Sequence, residues 1–404
     1  MLPRRGISLS GNSHRLDAHG WVKWALDFQS KRKSSKNTEP FPFFAKVNAR
    51  QMTIGDQVFN DLAYTSYRDG SRQIHRFENS LISGEMVLGQ RPWLVRLDRL
   101  DRRLLLAIGN AEIASRASTD SAGVTDRSYD PRDVPALDVN VTELIWDNWR
   151  FSRVALRTEP TERGMRISAV TARQNTMRVS GSGFWEQSQS RGVSAHVTKL
   201  DLTASFDDFG QAISDIADVE SFAAGTGEAA LSILWPRPAY SPDLQTMQGQ
   251  LLFNLRNGRI LSVQPGASRI LGLIALQSLP RRLAGDFRDI TDNGLEYSGV
   301  SGNLSIANGQ AQTNAIAMSG PVAEILIQGT SGFVDKTHEQ TIDVLPRVSG
   351  ALPILGILSG GPAAGLTALL ADNILRGIGL NLDEFGRRRY MLTGSWEQPV
   401  WDDF

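Results

Sequence analysis

The sequence predicts a mainly β protein: a long antiparallel sheet built from repeated strand units, with a few short amphipathic helices near the C-terminus. Three observations predict it. Apolar and polar residues alternate along most of the chain, the period-2 signature of half-buried strands. Gly- and Asn-based turn signals punctuate the alternating runs. A block of strands also recurs at a constant offset.

The alternation is clearest in two places. In LDVNVTEL (137–144), Leu137, Val139 and Val141 fall on one face and Asp138, Asn140 and Thr142 on the other. In QLLFNLRNG (250–258), Leu251, Phe253 and Leu255 oppose Gln250, Asn254 and Arg256, with Leu252 breaking the pattern. Four turn signals are read as hairpin turns, because Asn-Gly and its relatives supply positive φ: RDG (68–70), RNG (256–258), DNG (292–294) and ANG (307–309).

The repeat aligns 47–64 with 139–156 at an offset of 92, placing Asn48 on Asn140, Met52 on Leu144, Phe59 on Phe151 and Leu62 on Val154. Each copy continues to a glycine, in ISGEM (82–86) and VSGSGFW (179–185). Repeat units of about 44–100 and 136–200 then make up a β-repeat region over 1–230, followed by a distinct region over 231–404. Units stacked edge to edge give a sheet that grows in one direction. Two stretches read as loops, 29–40 with its basic run Lys31–Lys33, and 110–135. Helical periodicity is confined to 207–218, 267–284 and the opening stretch.

Composition excludes more than it assigns. With 43 basic and 43 acidic residues the chain has no net field to draw it to nucleic acid. Without cysteine it has neither disulfides nor thiolate metal sites. The N-terminus has two arginines but no apolar run after them, so no signal peptide or anchor is visible, and the chain is expected to be the C-terminal portion of something longer. No phosphate loop, nucleophile elbow or HExxH is present. The histidines His14, His19, His75, His196 and His338 lie far from metal-ligand spacing, and His196 reads as an exposed strand position. Asp286, Asp289 and Asp292 read as turn residues, and Trp146, Trp149, Trp185 and Trp396 as packing residues. No catalytic residue, metal or cofactor is assigned.

One segment stands apart. From Val348 to Ala371 there are 24 residues without a charge, long enough on paper to cross a bilayer. Five glycines and two prolines break it into two short pieces. The second carries Leu366, Leu370, Ile374 and Ile378 at four-residue strides, an amphipathic pattern. With Leu352, Ile354 and Leu355 of the first piece, these are the candidates for a membrane-facing helical cap over about 350–380, although packing in a core fits the same pattern.

The last 170 or so residues carry ordered elements: an LW strand, GQLLFNLRNGRILSV, PGASRILGL, LPRRLAGDF, NGLEYSGVSG, SGPVAEI, VLPRV, the Gly-rich apolar stretch, and TGSWEQP. In this order they resemble the C-terminal region of the YhdP family of AsmA-like proteins, while residues 1–230 resemble only the general AsmA-like strand repeat. The resemblance implies a strongly curved sheet, or β-taco, around an apolar groove. It implies a periplasmic envelope protein of a Gram-negative bacterium, carrying phospholipid between inner and outer membranes. An inner-membrane anchor in the full-length form and outer-membrane contact through the C-terminal helices follow in the same way, as does a phospholipid's acyl chains as the bound partner.

The groove-lining candidates are Val139, Val141, Leu251, Phe253, Leu255, Ile325 and Ile327. Parity alone fits an open groove and a closed sandwich core equally. A lining of this kind needs no convergent polar site, since each buried CH₂ contributes about 0.8 kcal/mol. The other readings are an envelope scaffold that binds partners through open sheet edges, and an envelope hydrolase, for which no nucleophile–base pair stands out.

Overall fold

The computed structural model describes residues 7–17, 20, 43–54, 57–89, 91–107, 130–146, 149–190, 193–217, 220–261, 294–321, 323–346 and 387–403. Among them, nineteen strands form one mixed sheet that does not close on itself. The chain divides into two compact units. One comprises Met1–Ala172, Gly183–Thr198 and Arg237–Ser241; the other comprises Arg173–Ser182, Lys199–Pro236 and Pro242–Phe404.

The first unit holds β1 (Ile7–Asp17), β2 (Phe43–Ile54), β3 (Gln57–Asp69), β4 (Arg72–Glu78), β5 (Ile82–Leu88), β6 (Trp93–Asp101), β7 (Leu137–Trp146), β8 (Trp149–Pro160) and β9 (Gly164–Arg173). Strands β10 (Met177–Ser190) and β11 (Val193–Phe206) contribute residues to both units, as does β9 through Arg173. The second unit continues with helix α1 (Phe209–Ala217), β12 (Phe222–Trp235), β13 (Gln248–Ile260), β14 (Leu295–Ala307), β15 (Gln310–Ser319), β16 (Ala323–Gly332), β17 (Thr337–Pro346), β18 (Arg388–Ser395) and β19 (Pro399–Asp403).

Pairing is antiparallel from β2 to β6, from β7 to β9 and from β12 to β19. Two joins are parallel and depart from a pure meander: β1 beside β2, with Leu16 opposite Met52, and β6 beside β7, with Leu100 opposite Leu144. A parallel neighbour requires the chain to return to its starting end through a long crossing. The stretches read as loops, 29–40 and 110–135, belong to these two crossings, and most of their residues lie outside the described ones.

The registers carry the offset found in the sequence. Met52 pairs with Phe59, and Leu144 with Phe151; Ala49 pairs with Leu62, and Val141 with Val154. Asp61 and Arg153, at equivalent positions, both take left-handed backbone conformations (φ 55° and 50°). Beyond them, Gly84 lies against the Arg96 backbone and Gly181 against that of Asp201; a Cβ would come within 2.3 and 2.2 Å of the respective carbonyl oxygens.

Two of the four turn signals make hairpin turns. Gly70 (φ 58°) closes β3–β4, and Asn308–Gly309 (φ 53° and 73°) closes β14–β15 with Ala307 opposite Gln310. The RNG signal does not. Asn257, although at φ 53°, sits inside β13, whose pairing with β12 and β14 continues on both sides of it. The adjacent Gly258 explains the distortion: a Cβ there would meet the Tyr297 hydroxyl at 2.2 Å, so the ring of Tyr297 lies over a glycine floor. DNG (292–294) lies outside the described residues except for Gly294.

The helical pattern of 207–218 is α1, capped by Asp208, whose Oδ1 accepts from the Gln211 backbone N–H at 2.9 Å. Ala212 and Ile216 are its buried side chains, and Phe206, Phe209 and Phe222 pack edge to face beside it. Of the opening stretch, Gly20 is helical and 7–17 is not. Ile7–Asp17 forms β1, because the edge of β2 offers its backbone a ladder of partners from Phe43 to Thr53. The pattern of 267–284 lies outside the described residues.

Candidate lipid-binding face

The two faces of the sheet differ in chemistry, and strand alternation is the cause. In the second unit the apolar face is built from registered rows. Leu255 on β13 stands opposite Val300 on β14, Val300 opposite Met318 on β15, Met318 opposite Ile325 on β16, and Ile325 opposite Val344 on β17. The next row runs Phe253, Gly302, Ile316, Ile327, Ile342 and Tyr390, reaching β18. Leu251 stands opposite Leu304 in the row after that. Five of the sequence-predicted lining residues therefore share one face.

Their environments differ. Ile325 and Ile327 are fully buried and Leu255 is buried, whereas Leu251 and Phe253 are half-buried at the margin of the cluster. Gly302 belongs to the row because Phe253 needs the space. A Cβ at 302 would come within 2.7 Å of Phe253 Cζ and 2.8 Å of Ile316 Cγ1.

The other two candidates, Val139 and Val141, lie in the first unit. They form a separate cluster with Val95, Leu97, Leu144 and Val154. The opposite face of the same strands is charged across five strands. Arg76 on β4 pairs with Glu85 on β5, Glu85 stands opposite Arg96 on β6, Arg96 bonds Asp138 on β7 at 3.2 Å, and Arg157 on β8 approaches Asp138 at 3.9 Å. Exposed pairs of this kind add little stability each. They do mark which face is solvated.

Two polar networks, each centred on a buried serine and a buried glutamine, escape sequence reasoning. Ser331 on β16 and His338 on β17 are cross-strand partners, with Oγ 3.2 Å from Nδ1, and Gln340 Nε2 donates to Ser331 Oγ at 2.7 Å. Ser66 on β3 and His75 on β4 repeat this arrangement at 3.2 Å, with Gln73 Nε2 donating to Ser66 Oγ at 2.8 Å. The Tyr64 hydroxyl adds a 2.7 Å bond to His75 Nδ1. In both networks the imidazole Nδ1 and a glutamine amide meet on one serine hydroxyl. Burial pushes the pKa of both histidines from 6.5 to about 4, which keeps them neutral. The only local signals are QIH at 73–75 and HEQ at 338–340, mirror images that become equivalent once the hairpins form.

These serines and histidines do not form a hydrolytic site. Ser331 is fully buried and Ser66 nearly so, and each hydroxyl is already engaged by a glutamine, so no substrate carbonyl can reach it. His196, expected on the surface, is buried at 8% exposure: Trp185 Nε1 donates to its Nδ1 at 3.1 Å, and Tyr240 meets Trp185 edge to face. Of the four tryptophans read as packing residues, Trp185 is core, Trp146 and Trp396 are half-buried, and Trp149 is exposed.

The membrane-cap candidates Leu352, Ile354, Leu355, Leu366, Leu370, Ile374 and Ile378 lie outside the described residues, as do Asp286, Asp289 and Asp292. Among the described residues no helix is long and apolar enough to cross a membrane.

The chain is 20% identical over 387 residues to the intermembrane phospholipid transporter YhdP of Escherichia coli (strain K12), covering 94% of this chain and 29% of that protein. It thus spans less than a third of the relative's length. No solved structure matches the chain. The family model described as YhdP protein matches residues 1–401, nearly the whole length. With the unclosed sheet and its repeated strand units, this match places the chain in the YhdP family.

Proposed function

We propose that this chain is a non-enzymatic lipid-conducting segment of a cell-envelope protein, holding phospholipid acyl chains against the apolar face of its sheet. The observation that carries the reading is the registered apolar surface across β13 to β18, in a sheet that does not close on itself. Acyl chains need only a continuous apolar lining, gaining about 0.8 kcal/mol per buried CH₂. Such a lining lets cargo slide, because no single position holds it by a directional bond. The name of the Escherichia coli relative, an intermembrane phospholipid transporter, supports the same reading. In it, Val139, Val141, Leu251, Phe253, Leu255, Ile325 and Ile327 line the path. Phe253 and Leu251, half-buried at the margin, are where a chain first makes contact. The periplasm is the compartment of action, and the apolar segment 350–380 meets the outer membrane.

Native mass spectrometry of protein purified without detergent tests the reading. Co-purifying phospholipid is expected; protein that carries none, and takes none up from vesicles, would sink it.

A further inference from the structure

On the face opposite the apolar rows, the end of β17 and the start of β18 carry a cationic group that the conduit does not use. Asp343 on β17 has a side chain only 5% exposed, and it holds two guanidiniums. Arg387 Nε and Nη2 donate to its two oxygens at 2.9 and 2.6 Å, and Arg389 Nε and Nη2 donate to the same two at 2.8 and 3.1 Å. Both arginines therefore spend the same edge of the guanidinium on one carboxylate. Their Nη1 groups bond to no described residue.

One carboxylate neutralises one of two positive charges. Among the described residues, a second carboxylate near this end of the face is that of Glu324, which is buried and stands cross-strand from Leu345. Asp402, across from Met391 on β19, is exposed. Around the pair, in the positions that share this face, stand Leu326, Leu345 and Met391, all half-buried. Arg389 is 44% exposed and Arg387 19%, so a ligand can reach the free edges.

We propose that Arg387 and Arg389, fixed by Asp343, form a phosphate-binding site that takes the headgroup of a phospholipid other than the one lying on the apolar rows. Guanidinium matches the paired oxygens of a phosphate, and a pre-fixed fork loses little entropy on binding. The flanking apolar side chains favour a phosphate that arrives attached to acyl chains over a free one. The site rests on the lipid-conducting reading above for its source of ligand, but not for its chemistry.

The test loads the full chain with phosphatidylglycerol or with diacylglycerol of the same acyl chains, which lacks the phosphate, and counts bound lipid by native mass spectrometry. Arg389→Gln is the first variant, because Asp343 keeps its bidentate partner Arg387 and the fold keeps its ion pair. Wild type is expected to prefer the phosphate-bearing lipid by about tenfold, as charge-assisted bonds of this type warrant. Arg389→Gln should abolish the preference while leaving diacylglycerol loading unchanged. Equal preference in wild type and variant overturns the site and leaves the conduit standing. If neither protein takes up any lipid, the conduit reading fails by itself, and ³¹P line broadening of inorganic phosphate then decides the site. Broadening by wild type and not by Arg389→Gln assigns it to free phosphate; no broadening by either overturns it.

Discussion

Phe253 stands directly opposite Gly302 across the β13–β14 pair, and its ring occupies the space that a side chain at 302 would fill. The apolar row from β13 to β18 is thus continuous only because one of its members has no side chain. Gly302→Val should force the ring and Ile316 apart and cost about 1–3 kcal/mol, the usual range for overpacking. Urea unfolding followed by circular dichroism measures it, and a cost below 0.5 kcal/mol, about the noise of surface substitutions, would show that the ring moves freely.

The same ring carries the first lipid contact in the conduit reading. Phe253→Asp should lower phospholipid loading more than tenfold, since a carboxylate in the row would have to be desolvated against acyl chain. Asn254→Asp, one residue along and on the other face, introduces the same charge and should leave loading unchanged. Equal effects of the two substitutions would mean that charge on the strand, and not the face, governs lipid uptake.

Acidification should destabilise the protein through His75 and His338. Both titrate near 4 in the folded state against 6.5 when exposed, because burial disfavours the charged ring. Between those values the unfolded chain binds more protons than the folded one, so stability falls as the pH drops from about 6.5 toward 4. Below that window these two residues add no further loss. His338→Gln, which keeps a polar partner for Ser331, should flatten the dependence of the urea midpoint on pH across the window; an unchanged slope would remove His338 from the account.

Arg153 offers a test of backbone strain. It is exposed, yet holds φ at 50° within β8, a conformation that costs a non-glycine residue about 1 kcal/mol or more. Arg153→Gly should therefore be neutral or stabilising by up to about 1 kcal/mol, where glycine in a strand interior ordinarily weakens it. Arg157→Gly, in the same strand without the left-handed backbone, is the comparison and should lose stability.

Much of the fold was legible because alternation and repeat are local properties. Leu251, Phe253 and Leu255 had to share a face once the segment was a strand, and the pairing of Met52 with Phe59 follows from the same hairpin as that of Leu144 with Phe151. What was not legible depended on distant partners. The Asn257–Gly258 pair carries every mark of a turn, and only Tyr297, from the next strand, explains why it lies in the middle of one. His196 reads as exposed until Trp185 closes over it. The parallel entry of β1 is equally hidden, since its few apolar residues carry no sign of which edge they will meet. The Asp343 site joins residues more than forty positions apart.

The parallel joins have a consequence for growth of the sheet. From β2 to β6 the chain runs through five strands, an odd number, and β7 enters in the same direction as β6. Had β7 turned back instead, it would have run opposite to β2, and the second copy would have been an inverted image of the first. By crossing over before starting again, the chain resets its phase, so β7 points the way β2 does. Asp61 and Arg153 then take the same left-handed backbone at equivalent positions of their copies, and the first hairpin tips of both copies emerge at one edge. Addition of a further module then repeats one step along the sheet, with the first hairpin of each copy opening at the same edge.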